Sequence, residues 1–186
     1  MSSNFNKPLF FVGVIPDETL QNKIQELKHY VKDTYHSSHS LNAPPHITLL
    51  SPFRTDADHT QELHLLLEVF AQAYEPFEVS LDGFATFPPR VIFIDVDKSE
   101  PLMTLQEKLE ELARSKEELF SYGYKERPYH PHMTLAFKDL TKANFHRAWK
   151  EFKDREFDES FKVDKLSLLK HDGERWEVEK EFELGK

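Results

Sequence analysis

Two short stretches of this chain carry residue types that could do acid–base chemistry: Pro45-His46-Ile47-Thr48-Leu49 and Pro131-His132-Met133-Thr134-Leu135. Both read P-H-x-T-L with an apolar residue at x. In a strand, residues two apart point to the same side. His46 therefore shares a face with Thr48, and His132 with Thr134. Ile47 with Leu49, and Met133 with Leu135, then face the opposite way, into apolar packing. Two such strands facing each other would gather two imidazoles and two hydroxyls around one small volume. That set suits in-line displacement at phosphorus, which needs a base on the entering oxygen and an acid on the leaving oxygen. Histidine titrates near neutrality, so one ring can be neutral while its twin is protonated. The threonine hydroxyls can donate hydrogen bonds to the non-bridging oxygens. Each well-placed acid or base contributes roughly 10²–10⁴ in rate. The arrangement requires no metal. A single H-x-T would be read as an ordinary strand histidine; the doubled motif in matching slots favours chemistry.

The elements that must position these motifs repeat. Leu9 to Ile15 is an apolar run closed by Pro16 and predicts a buried strand. Asp17 can cap a helix with Leu20, Ile24, Leu27 and Val31 on one face. A polar loop, His36 to Asn42, precedes the first motif strand, which prolines bracket. A second helix carries Leu63, Leu66, Leu67 and Phe70. Phe77, Val79 and Leu81 alternate as a half-buried strand. The second half runs in the same order. Val91 to Val96 is a strand, and Leu102, Leu105, Leu109 and Leu112 mark a helix with Ser99 and Pro101 near its start. The loop Ser121 to Pro128 leads into the second motif strand. Thr141 can cap a helix bearing Phe145, Ala148, Trp149 and Phe152. Phe161 to Leu169 and Arg175 to Leu184 flank Asp172-Gly173, which predicts a two-residue hairpin turn. The pattern is that of an internal duplication.

With those residues in place, the chain resembles the 2H phosphoesterase superfamily, in its cyclic phosphodiesterase and 2′-5′ RNA ligase-like branch. The likeness spans LFFVGVIP, PPHITLLSPF and RPYHPHMTLAF. It implies an α+β fold of two pseudo-symmetric lobes, each an antiparallel sheet with helices on its outer face and a cleft between them. One unit over residues 1–186 is expected, with lobes of roughly 1–88 and 89–186 and room for strand exchange between them. The resemblance also implies that His46 and His132 are the general acid and base and that Thr48 and Thr134 bind phosphate. Family substrates include 2′,3′-cyclic phosphates at RNA or nucleotide ends, the 1″,2″-cyclic phosphate of ADP-ribose, and 2′-5′ linkages. The expected partner is a nucleotide or RNA-end substrate, with no cofactor.

Other residues have a functional and an ordinary reading. His130 could share the His132 face as a third cleft histidine, or sit on a rim, which is the expectation. Lys125, Arg127 and Tyr129 precede the second motif and could meet a phosphate or stack on a base. Phe11 could line the cleft, although core packing is its ordinary role. Lys170, beside the hairpin turn, is a weaker candidate. His29, His36, His39, His59, His64, His146 and His171 are expected at the solvated surface.

Bulk composition narrows the classes. The absence of cysteine excludes disulfides, thiolate metal sites and cysteine nucleophiles. A net charge of −9 opposes bulk binding to a nucleic-acid backbone, so any RNA is expected as an end or small fragment. No apolar run suits a bilayer span and no leader-like segment precedes the first strand, so a cytoplasmic monomer with no membrane association is expected. Two rivals stand beside the phosphodiesterase reading. One is a non-catalytic binder of phosphorylated nucleotides or RNA ends. The other is a metal-dependent phosphohydrolase built on His46, His130 and His132.

Overall fold

Asp17 begins the first helix: its carboxylate accepts from the Leu20 N–H at 3.1 Å and caps the helix N-terminus. The computed structural model describes residues 7–121, 123 and 127–185. The chain order is β1 (Leu9–Val14), α1 (Glu18–Tyr35), β2 (Ile47–Arg54), α2 (Thr60–Gln72), β3 (Phe77–Phe87), β4 (Val91–Val96), α3 (Glu100–Ser115), β5 (His132–Ala136), α4 (Lys142–Phe152), β6 (Asp158–Val163), β7 (Lys165–His171) and β8 (Trp176–Glu183). Thr141 caps α4 as expected, accepting from the Asn144 N–H at 3.2 Å. Ser99 precedes α3 without a side-chain cap bond.

Among the described residues, the strands form two antiparallel four-stranded sheets, ordered β2-β1-β7-β8 and β5-β4-β3-β6. The expected α+β architecture is present. The sheets are not contiguous halves of the chain, however. β3 precedes residue 88 yet pairs with β4 in the second sheet, while the C-terminal hairpin β7–β8 returns to the first. A division at residue 88 therefore follows the repeat and not the sheets. Phe161 to Leu169 also splits between two strands in different sheets, because the chain crosses over near Asp164. The hairpin turn is a correction too. The last strand pair is His171 with Trp176, leaving four residues in the loop. The Asp172 carboxylate accepts from the Glu174 and Arg175 N–H groups, and Gly173 takes φ 115°.

One buried cluster runs through both sheets and all four helices, with Ile24, Leu50, Leu67, Ile94, Leu109, Phe152 and Leu168 among its members. The helices are shared across the repeat: α1 packs on β5 and α4, whereas α3 packs on β2. Tyr35 of α1 bonds Glu151 of α4, and Lys23 of α1 pairs with Glu159 of β6. Among the described residues, no helix is long and apolar enough to cross a membrane.

Candidate active site

β2 and β5, which carry the two motifs, are the edge strands of their separate sheets and lie against each other. Edge position tolerates Pro52 within β2, since its missing N–H costs no ladder bond. Burial follows the alternation expected from the sequence. Ile47, Leu49, Met133 and Leu135 are buried, while His46, Thr48, His132 and Thr134 keep partial exposure.

Side chains from the opposite half satisfy two edge carbonyls. The Tyr129 hydroxyl donates to the Thr48 carbonyl at 2.8 Å. The Ser40 hydroxyl donates to the Leu135 carbonyl at 2.6 Å. The Asp139 carboxylate, just after β5, accepts from the Ser37 hydroxyl at 2.7 Å and from the backbone N–H groups of Ser38 and His39. These bonds hold the loop before the first motif against the end of the second motif strand. They also explain why Ser37 and Ser40 are buried in a stretch whose polarity suggested a solvated loop.

All four motif side chains line one cavity of about 400 Å³. The two histidines are held in the same way. His46 Nδ1 lies 2.7 Å from the Pro44 carbonyl, and His132 Nδ1 lies 2.7 Å from the His130 carbonyl. A carbonyl can only accept, so each Nδ1 carries the proton. Each neutral ring then presents an unprotonated Nε2. Aromatic rings buttress both: Phe11 sits 4.7 Å from His46, and Phe93 and Phe87 sit 5.2 and 5.1 Å from His132. Gly13 lets β1 approach β2 beside the motif. A Cβ there would stand 2.7 Å from the Ile47 carbonyl oxygen, at a register irregularity between the strands.

The electrostatic surroundings break the symmetry. Burial pulls the His46 imidazole down to about 4, opposed by the Pro44 bond and reinforced by the Lys28 and His132 charges. Burial also lowers His132; the bond to the His130 carbonyl opposes this, the His130 charge adds to it, and Asp95, its partner across β4–β5, pushes weakly the other way. Among the described residues, no carboxylate raises His46 in this manner.

The remaining candidates divide. Phe11 lines the cavity. His130 does not; it lies 3.3 Å from Asp95 and lines an adjoining cavity of about 460 Å³ together with Arg127 and Tyr129. That second cavity also reaches Thr48 and His132. Arg127 is exposed, and Tyr129 serves β2 through its hydroxyl, with burial raising its phenol. Lys125 lies outside the described residues. Lys170 lies over the Phe10 ring, 5.9 Å from its centroid, away from both cavities. His39 is a correction: it lines the main cavity and packs edge-on against Phe137 at 4.9 Å. His64 and His171 are half-buried, against Phe182 and Trp176.

Sequence reasoning missed Trp176, Phe137, Phe87 and Lys28, all of which line the main cavity. Lys28 had a visible signal. It interrupts the buried stripe of α1 between Ile24 and Val31, where a lysine needs a partner. Trp176 gave none, since only the return of β8 to the first sheet brings it 4.7 Å from Phe11. Among the described residues, no group of three or more His, Asp or Glu side chains is arranged to hold a metal ion, so the His46, His130 and His132 alternative finds no such cluster.

Two sheets with paired H-x-T edge strands around a shared cleft define the bilobal 2H phosphoesterase architecture. The chain belongs to the 2′-5′ RNA ligase superfamily, whose family model matches residues 16–175. A relative in Oceanobacillus iheyensis, provisionally named a phosphoesterase, is 28% identical over 178 residues, covering 94% of this chain and 97% of its own. One in Geobacillus kaustophilus with the same provisional name is 29% identical over 168 residues, covering 88% and 91%. Among solved structures, TT0787 of Thermus thermophilus superposes with a TM-score of 0.68 at 22% identity, covering 96% of this chain and 99% of its own. LigT of E. coli in apo form gives a TM-score of 0.68 at 18% identity, covering 97% and 98%. LigT has also been solved with 3′-AMP, NADP+, ATP and phosphate.

Proposed function

We propose that this protein is a metal-independent phosphodiesterase acting on 2′,3′-cyclic phosphates, or related 2′-linked phosphodiesters, of RNA ends or nucleotides. The observation that carries the reading is the matched histidine geometry. Two imidazoles from opposite sheets have their Nδ1 protons committed to carbonyls, and both line one cavity with a threonine alongside each. The nucleotides and phosphate bound by LigT support a ligand of this class.

The surroundings suggest a division of labour. His46, desolvated by the cleft wall and beside a lysine, favours the neutral form and acts as base in hydrolysis. His132, with Asp95 across the strand, acts as acid. Water attacks phosphorus and gives its proton to His46 Nε2. The bond from phosphorus to one ribose oxygen breaks, and His132 Nε2–H protonates that oxygen. A phosphate monoester results, and the two histidines exchange roles in the reverse, ring-closing direction, whereas a 5′-hydroxyl attacking the cyclic phosphate in place of water would give ligation. Thr48 and Thr134 donate to the non-bridging oxygens as charge builds there. Because both imidazoles are depressed, the pH optimum of kcat/KM falls on the acid side of neutrality.

The test is a product assay with 2′,3′-cyclic mononucleotides, ADP-ribose cyclic phosphate and 2′-5′ oligomers, each with and without EDTA. Turnover that survives EDTA is expected. Tight binding with no product over a long incubation would replace this reading with a nucleotide-binding role, and loss of turnover with chelator would replace it with metal-dependent hydrolysis.

A further inference from the structure

Lys28 is only 1% exposed, yet its side chain reaches the wall of the catalytic cavity. Its ammonium donates to two backbone carbonyls, Ser40 at 3.0 Å and Ala43 at 3.1 Å, in the loop that leads into Pro44-Pro45-His46. An ammonium has three N–H donors, and these bonds use two. Burying a lysine is costly unless its charge is used or neutralised. Here the nearest hydrogen-bonding partners are neutral carbonyls.

The cavity around it has a one-sided charge. Its titratable lining groups are Lys28, Lys138, His39, His46 and His132. Among the described residues, no aspartate or glutamate lines it, in a chain that holds 33 of them. The nearest carboxylate in sequence, Asp139, is occupied by Ser37, Ser38 and His39. A cleft of this kind, in a protein of net charge −9, is built to take an anion.

We infer that Lys28 is a phosphate-binding residue of the cleft, its ammonium anchored by the Ser40 and Ala43 carbonyls and its third N–H donating to an anionic oxygen of the bound phosphate. The inference rests on the phosphodiesterase reading to the extent that the cleft's occupant carries a phosphate group. It assigns the first half of the chain a charged contact beside His46, in addition to the Thr48 hydroxyl. It also gives the lysine a second effect. Below about pH 7, where it is charged, its ammonium opposes protonation of His46, which keeps that ring available as a base. Burial holds the free ammonium down to about 7, so an arriving phosphate draws a proton onto it.

The experiment uses inorganic phosphate and the full chain. In the unmutated protein, the Lys28 ¹³Cε resonance is followed against pH with and without saturating phosphate. Its midpoint is expected to rise by about one to three pH units on binding. Phosphate affinity is then measured for Lys28→Gln, which keeps an amide donor but no charge, and is expected to fall about tenfold to a hundredfold. A Lys28 midpoint indifferent to bound phosphate overturns the inference while leaving the phosphodiesterase reading intact, and it decides the matter if Lys28→Gln does not fold. Equal phosphate affinity in a folded Lys28→Gln protein overturns it equally. Failure of the unmutated protein to bind phosphate at all overturns the inference, whereas the phosphodiesterase reading falls only if the turnover assay gives no product.

Discussion

Replacing His46 by glutamine probes the cleft without any substrate. Burial holds the His46 imidazole at about 4, against about 6.5 in an unfolded chain. Above pH 6.5 the ring is neutral in both states and contributes no pH dependence. Between 6.5 and 4 the unfolded chain takes up a proton that the folded protein refuses. Stability contributed by the neutral ring is therefore complete above the unfolded value and is lost as pH falls towards the folded one. A gap of about 2.5 pH units at 1.36 kcal/mol each, less the half-titration of the folded ring at pH 4, gives about 3 kcal/mol of acid destabilisation from this residue. Glutamine cannot titrate and lacks this component. Urea unfolding of both proteins at pH 7, 6, 5 and 4, followed by far-UV circular dichroism, is the assay. The stability difference between them is expected to be constant above neutrality and to move by about 3 kcal/mol in favour of His46→Gln by pH 4. Parallel stability curves across that range would refute the claim that burial keeps His46 neutral.

Other consequences follow from the same geometry. Thr48→Val and Thr134→Val each remove a hydroxyl proposed to bind phosphate, so kcat/KM for a cyclic phosphate is expected to fall about tenfold to a hundredfold, with melting temperature nearly unchanged. A collapse of melting temperature instead would mean these hydroxyls are structural. Gly13→Ala places a methyl 2.7 Å from the Ile47 carbonyl oxygen. It is expected to destabilise the protein by about 1–3 kcal/mol in urea unfolding and to lower turnover by displacing the segment that holds His46.

Much of this site was legible in the sequence because it depends on local periodicity. The P-H-x-T-L alternation fixed which side chains share a face, and the proline-led strands, the Asp17 cap and the Thr141 cap lie where short-range chemistry put them. What could not be read was pairing between distant strands. The repeat suggested that Phe77 to Leu81 belongs with the first half, yet β3 is long enough to fold back directly on β4 through the Pro88-Pro89 turn, and so joins the second sheet. The place beside β1 is filled by β7, and that exchange alone carries Trp176 to the cleft. His39 was misplaced for a related reason. Its loop looked polar and solvated, but Asp139, about a hundred residues away, binds it to the other half. Lys28 could have been found from the break it makes in a buried helical stripe. The identical Nδ1 contacts of His46 and His132 needed coordinates.

The central claim is that one imidazole from each sheet acts on a single phosphorus atom. Its most direct test is the turnover of a 2′,3′-cyclic nucleoside monophosphate, in EDTA, by purified His46→Ala, His132→Ala and the double variant. Each single change is expected to lower kcat by at least about 10²-fold, with the double variant little worse than the poorer single one, because the two rings work as a unit. A rate close to that of the unmutated protein in either single variant would contradict the account.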